Sequence, residues 1–422
     1  MALTGVLMAI ASSIRRKMRV AKLLAPVPGP KGIFLLGLLP ELNQNIHCCY
    51  DFLTELAHKY DGRVHIPWDI FTGNMLFYVL STNLKNWVKS DHFRRSICEV
   101  FGIVLFGLNH THTVDGGAMF RLQRKVTSKI FTTSNFEGIF QRYALRLMDI
   151  INAQNGKVSM YAIANQDTLQ VTFDIVVKVP PESIDKELGL KFTKSMGVSE
   201  YHYQHEAKVL LDTFDGIARQ RLEEPEENVA TRSDVLSLFV KKARELEAEG
   251  DRTLDIPALR SITVGTIFGG RDTTSAAITY SLYNLAQYPE QQNKTLEELK
   301  RPTPKLRHLD AFVWETRRLY PVVPSVMKVA VEDDVFPDGT FIPAETEITA
   351  SAYYMDRHNA KLWEEDQLVF RPQRWLDMKT QPTAYNHPVL LGGPRMCPAM
   401  DLALLEVKIF IAVLLQTFHM TI

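Results

Sequence analysis

The run Gly392-Gly393-Pro394-Arg395-Met396-Cys397-Pro398 constrains this chain more than any other stretch. Adjacent glycines and flanking prolines interrupt regular structure around a single thiol. The residues beyond it, with Leu402, Leu405, Ile409 and Val413 spaced three and four apart, predict a helix with that face inward. Pro398 suits the first helical position, so Cys397 stands just before a helix whose unpaired N–H groups and positive dipole end favour a thiolate. A glycine-rich loop ending in one thiolate can ligate a metal axially. Taken singly, the run is explained better by a small buried core cysteine.

A second segment, Ser261 to Leu285, predicts a long central helix with Asp255 as N-cap, Pro257 in its first turn, and Ile278, Leu282 and Leu285 on one face. Gly269 and Gly270 interrupt it, each costing about 1 kcal/mol relative to alanine, so close packing or function must compensate. Thr273 can reach the Gly269 carbonyl one turn back and open a polar notch, where Asp272 beside the alcohol could relay protons. A kink with a solvated Asp272 is the plainer account of these six residues alone.

A third segment, Glu315-Thr316-Arg317-Arg318, sets Glu315 and Arg318 on one helix face. The same spacing recurs at Glu249 with Arg252 and at Glu298 with Arg301, where an exposed pair is the ordinary explanation. Arg374, in Phe370-Arg371-Pro372-Gln373-Arg374-Trp375, could complete a buried Glu315-Arg318-Arg374 network of structural character.

Around these segments the chain reads as mainly α with a small β-sheet portion. The 422 residues carry 48 basic and 48 acidic side chains, which gives no reason to expect a nucleic-acid partner. Four cysteines without a Cys-x-x-Cys pair exclude a disulfide scaffold. Met1 to Ala11 is apolar but short of the ~20 residues a membrane span needs, and Arg15, Arg16, Lys17, Arg19 and Lys22 follow it. Residues 1–25 are therefore read as a leader, either a basic helix or a shortened anchor, and 26–422 as a single domain. Pro26-Val27-Pro28-Gly29-Pro30 predicts a stiff linker between them.

Arg63–Ile66 and Met75–Leu80 predict short strands, and Pro337-Asp338-Gly339 a hairpin turn between 329–336 and 341–354. Phe136, Phe140, Tyr143, Leu147 and Ile150, then Leu169, Phe173, Val176 and Val177, predict amphipathic core helices. Glu223 to Asn228 predicts a solvated loop.

In order, the three segments resemble the cytochrome P-450 superfamily of haem-thiolate monooxygenases, from Pro26 to the chain end. The resemblance implies haem b (iron protoporphyrin IX) between the long central helix and the cysteine-loop helix, with Cys397 as axial ligand of the iron. Gly393 and Arg395 match the ligand-loop pattern, and Phe120 to Arg124 matches the Trp-x-x-x-Arg motif with phenylalanine in place of tryptophan. Arg395 and Arg124 would then meet the haem propionates, as would Lys328. Asp272 and Thr273 match the acid-alcohol pair of proton delivery. Asp333 to Thr340 together with Gly270 to Thr274 resembles the fatty-acid ω-hydroxylase branch. That implies O2, a hydrophobic substrate such as a long-chain fatty acid oxidised at or near its ω-carbon, and electrons from NADPH through a flavoprotein reductase. It also implies a membrane surface, at the cytoplasmic face of the endoplasmic reticulum or at a mitochondrion. Ile267, Phe268 and Val323 are candidates for apolar pocket lining.

Several positions depart from the pattern. Leu390 replaces a phenylalanine and Ala399 a glycine, and 177–205 and 300–315 look abbreviated. The end at Ile422 is read as a truncation at the C-terminus. These departures keep open a non-catalytic or degenerate haem-binding relative.

Overall fold

Apolar residues at helical spacing dominate the chain, and the computed structural model is accordingly mainly helical with a small mixed sheet. It describes residues 2–69, 74–78, 93–95, 117–133, 136–155, 157–178, 200–301 and 305–422. The longer helices are α1 (Ala2–Leu23), α2 (Cys49–Lys59), α3 (Gly117–Thr133), α4 (Glu137–Ala153), α5 (Met160–Val176) and α6 (Glu200–Glu223). They continue with α7 (Val235–Ala248), α8 (Ile256–Gln287), α9 (Pro289–Leu299), α10 (Arg307–Leu319), α11 (Ala352–His358) and α12 (Met400–Leu415). The strands are β1 (Arg63–Ile66), β2 (Met75–Tyr78), β3 (Phe93–Arg95), β4 (Ser325–Ala330), β5 (Asp334–Val335), β6 (Phe341–Ile342) and β7 (Glu347–Ser351).

Two compact units divide the chain, and the boundary falls inside α10, after Thr316. The first comprises 1–97, 317–370 and 378–397. Its sheet runs β1-β2-β7-β4-β3, in which β2 and β7 pair in parallel and the other neighbours are antiparallel. Alternation buries Val64 and Ile66 from β1 and Ile348 and Ala350 from β7 in one core with Leu56, Ala57 and Met355 of α2 and α11. The hairpin forms as β5 against β6, with Gly339 at φ 84° donating its N–H to the Phe336 carbonyl at 2.8 Å. Tyr354, read as the end of a strand, lies instead in α11, whose N-cap Ser351 accepts from the Tyr354 N–H.

The proline-rich segment is more than a linker. Pro28 accepts the His65 N–H at 2.9 Å, and a Cβ at Gly29 would stand 2.0 Å from the His65 carbonyl oxygen, so the segment lies directly on β1. Helix α1 is tied to the same unit: Lys17 Nζ donates to the Asp69 carbonyl and Asn74 Nδ2 to the Lys17 carbonyl, each at 2.7 Å. Among the described residues no helix is long and apolar enough to cross a membrane.

The second unit comprises 98–316, 371–377 and 398–422, and is helical among its described residues. Helix α8 is its axis, with α5, α6 and α12 packed along it. The helix at Phe136 to Ile151 buries Phe140, Tyr143, Leu147 and Ile151, while Ile150 stays half-exposed. The acidic stretch at Glu223 is not a solvated loop. Pro225 caps a short helix, Glu226–Thr231, and Glu224 pairs with Arg221 and Arg232 at 3.2 and 2.9 Å.

Helix α12 buries Glu406, Val407, Phe410, Ile411 and Leu414, whereas Leu402, Leu405, Ile409 and Val413 are half-buried. The inward face is thus rotated from the one expected, because the helix is apolar almost all round and its sequence marks no preferred side. The expected shortening of 177–205 falls largely on 179–199, which, like 302–304, lies outside the described residues.

Candidate functional site

In the sheet-bearing unit the cysteine loop descends from Pro388 through a 3-10 turn at Gly393–Arg395. Leu391 and Gly393 have φ of 63° and 61°, a region where glycine is unstrained and leucine is not, so the loop is held by its surroundings. The Cys397 N–H donates to the Leu390 carbonyl at 2.9 Å and the Met396 N–H to that of Gly393 at 3.1 Å, which closes the loop around a half-buried thiol that forms no disulfide. A Cβ at Gly392 would sit 3.2 Å from the Ala384 oxygen. Pro398 precedes the helix by two residues instead of opening it. Ala399 is the N-cap at φ −106°, a conformation that costs an alanine nothing.

Sequence reasoning missed Arg317. It is almost completely buried in this unit, where desolvation pulls its guanidinium down to about 10 and the negative charge of Cys397 works against that pull. Two adjacent arginines gave no sign of which would accompany the thiol. Its neighbour Arg318 donates to the carbonyls of Asp356 and Gln367, both at 2.6 Å, and lies over Trp363 at 5.1 Å. Arg395 is half-buried, and Lys328 lies on β4 in register with Ile348.

In the helical unit Glu315 is fully buried. Its Oε1 accepts from Arg374 Nε at 3.0 Å and the Arg371 N–H at 2.8 Å, and its Oε2 from Trp375 Nε1 at 2.9 Å. Glu315 and Arg374 therefore pair, with Trp375 as an additional donor, stacked on Trp314 at 5.7 Å. Phe120 and Arg124 fall one turn apart on α3, the first buried and the second half-buried.

Helix α8 begins as its sequence dictates, with Asp255 accepting the Ala258 N–H at 2.9 Å. The Thr273 hydroxyl donates to the Gly269 carbonyl at 2.6 Å. Gly270 is where the backbone must be bare: a Cβ there would lie 2.4 Å from Thr172 Cγ2 of α5. Asp272 is one-third exposed, and its Oδ1 meets Arg271 Nη1 at 3.1 Å and Asn165 Nδ2 of α5 at 3.3 Å. Arg271 is buried, and desolvation pulls its guanidinium down while Asp272 opposes the shift. Of the candidate pocket residues, Ile267 is buried core, Phe268 half-buried and Val323 exposed. The same unit holds an open cleft of about 770 Å³, edged by Lys305, Arg307, Asp310 and Lys408 over Leu405 and Ile409.

The cytochrome P450 family model matches residues 190–422, more than half of the chain. The chain belongs to the cytochrome P450 family. Curated cytochromes P450 resemble it over most of their length. Cytochrome P450 94A1 of Vicia sativa is 25% identical over 92% of this chain and 84% of its own. Cytochrome P450 CYP94D108 of Paris polyphylla is 27% identical over 92% and 85%. Cytochrome P450 704B1 of Arabidopsis thaliana is 25% identical over 93% and 90%. These relatives bear out the superfamily and the branch that the sequence resembles. As a cytochrome P450 the chain is a haem-thiolate monooxygenase, and the family implies haem iron, O2 and a hydrophobic substrate. The cysteine loop suits that cofactor: it offers one soft sulfur ligand, free of any disulfide, with a buried cation beside it.

Proposed function

We propose that this cytochrome P450 hydroxylates a long-chain fatty acid at or near its ω-carbon, with residues 26–422 acting as one catalytic domain. Cys397 on its closed glycine loop carries the reading. In it, Cys397 would ligate the haem iron, Gly393 would keep the loop clear of the porphyrin, Arg395, Arg124 and Lys328 would pair with the propionates, and Phe120 would serve haem binding as part of the same α3 motif as Arg124. Bound haem supplies O2 activation and insertion of oxygen into an unactivated C–H bond.

The chain's own residues manage charge and protons. Asp272, one-third exposed, exchanges protons with solvent, and the Thr273 hydroxyl, anchored on the Gly269 carbonyl, is the donor that hands them inward. Glu315, Arg318 and Arg374 hold segments in place and touch no reactant.

Electrons come in this reading from NADPH through a flavoprotein reductase. The cleft edge mixes Lys305, Arg307 and Lys408 with Glu137 and Asp310, and Lys408 pairs with Asp310 at 2.8 Å, so Lys305 and Arg307 are the charges that would steer an acidic partner, more weakly as salt rises. Helix α1 exposes Met8, Ile10 and Met18 among Arg15, Arg16 and Arg19, which supports attachment to an anionic membrane surface. The cytoplasmic face of the endoplasmic reticulum is the proposed address.

The deciding experiment is the reduced, CO-bound spectrum of the purified chain beside its haem-to-protein ratio. A long-wavelength Soret band that Cys397→Ala abolishes, followed by reductase-dependent turnover of fatty acids, supports the reading. Bound haem without that band, or without turnover, would indicate a non-catalytic relative.

A further inference from the structure

Asn165 lies in the second turn of α5, buried, on the side that meets α8 at its bare Gly270. Its amide nitrogen has two hydrogens and two acceptors: Asp272 Oδ1 at 3.3 Å and Ser275 Oγ at 3.5 Å. Ser275 in turn donates to the Asp272 carbonyl at 3.0 Å, and Thr168, one residue beyond the buried Asp167, donates across the interface to the Arg271 carbonyl at 3.1 Å. The peptide before Asp272 is thus gripped from α5 and the one after it by Ser275 of α8 itself, while Asn165 holds the carboxylate.

We infer that Asn165 is a positioning residue for Asp272, one that turns Oδ1 toward α5 and leaves Oδ2 to exchange protons. This rests on the role proposed for Asp272. Three observations carry it. Asn165 and Arg271 converge on one oxygen, and among the described residues the other makes no hydrogen bond. The restraint from α5 is an uncharged donor at a distance long for a hydrogen bond, so it sets direction without adding a second positive charge beside Arg271. The two helices approach closely at Gly270 and Thr172, two turns along the same face of α5, so Asn165 stands on the side that meets α8.

The role is one of aim. A carboxylate released from α5 would follow Arg271 alone and swing with its guanidinium, and protons would then arrive at Thr273 less often than electrons do. The imbalance appears as hydrogen peroxide made at the expense of product.

The test uses the haem-loaded, full-length protein with its reductase and compares Asn165→Ala, Asp272→Asn and the double variant. The expected result for Asn165→Ala is a roughly three- to tenfold fall in product formed per NADPH with a matching rise in peroxide. In the Asp272→Asn background the same change costs nothing further, since it acts through a group already disabled. A crystal structure of Asn165→Ala should show the Asp272 carboxylate turned away from α5. If removal of the amide prevents haem uptake, Asn165→Leu, closer in volume, takes its place in the same comparison. Losses that multiply in the double variant, or a folded Asn165 variant with wild-type partition and an unmoved Asp272, overturn the inference. A wild-type chain that lacks the thiolate band fails the functional proposal instead, and the position of Asp272 in the variant crystal still decides whether Asn165 aims it.

Discussion

Glu406 of α12 and Asp167 of α5 are buried carboxyl groups within electrostatic reach of one another, and each has an oxygen with no hydrogen-bond partner. Burial pushes Asp167 up to about 7, with Arg146 pulling weakly the other way, and burial together with the charge of Asp167 pushes Glu406 well above the carboxylate range.

The pair predicts a pH dependence of stability. Because the folded protein holds the Asp167 proton more tightly than the unfolded chain does, stability is greatest below the ordinary carboxylate range near 4 and is lost as pH rises toward 7. Asp167→Asn should flatten that slope and raise stability by about 1–3 kcal/mol at pH 8. Thermal melts of both proteins at pH 5 and pH 8 measure it, and an unchanged difference between the two pH values would contradict it.

Glu315 predicts a steep asymmetry within its own network. Glu315→Ala strands the buried Arg374 guanidinium and should cost about 3–5 kcal/mol. Trp375→Phe removes a single N–H donor to the same carboxylate and should cost about 1–2 kcal/mol, part of it lost stacking on Trp314. Denaturant titration of the two variants gives the ratio.

Gly270→Ala should destabilise the protein by about 1–3 kcal/mol, because its methyl meets Thr172 Cγ2 at a distance no packed pair tolerates. Thr172→Ser deletes that methyl and keeps the hydroxyl. The double variant should therefore recover most of the loss, as a thermodynamic cycle on melting curves can establish.

His58 and His358 join α2 to α11 through ring nitrogens 3.2 Å apart. Desolvation first, then His58 and Arg357, push His358 down to about 4, while Asp51 works against them. Its folded value lies below the unfolded one, so this clasp is intact above about 6.5 and weakens as pH falls toward 4. Amide exchange in α2 and α11 should accelerate over that window, and His358→Gln should remove the dependence. Equal exchange rates at both ends would contradict the clasp.

How far the sequence reaches is clear from individual residues. Asp255, Pro257 and the Thr273–Gly269 bond were legible because capping and back-bonding are local rules that need only neighbours in the chain. Glu315 and Arg374 were read only as charges that could join one structural network, since spacing alone does not tell a buried pair from an exposed one. The rotation of α12 was hidden, since an almost wholly apolar helix has no stripe to read and Glu406 looks like a surface residue until its burial is seen. Asn165 was hidden for the opposite reason: α5 buries Asn165, Asp167, Thr168, Gln170 and Thr172, so its polar residues do not mark its outer face. The parallel pairing of β2 with β7 depends on segments far apart in sequence, and no local pattern announces it.

The tie of Lys17 to the Asp69 carbonyl and the Asn74 side chain changes what trimming this protein would mean. Val20 and Leu24 are as deeply enclosed as any residue of the sheet core. A shortened version made for solubility would lose two buried apolar side chains, and whatever they cover would open to water.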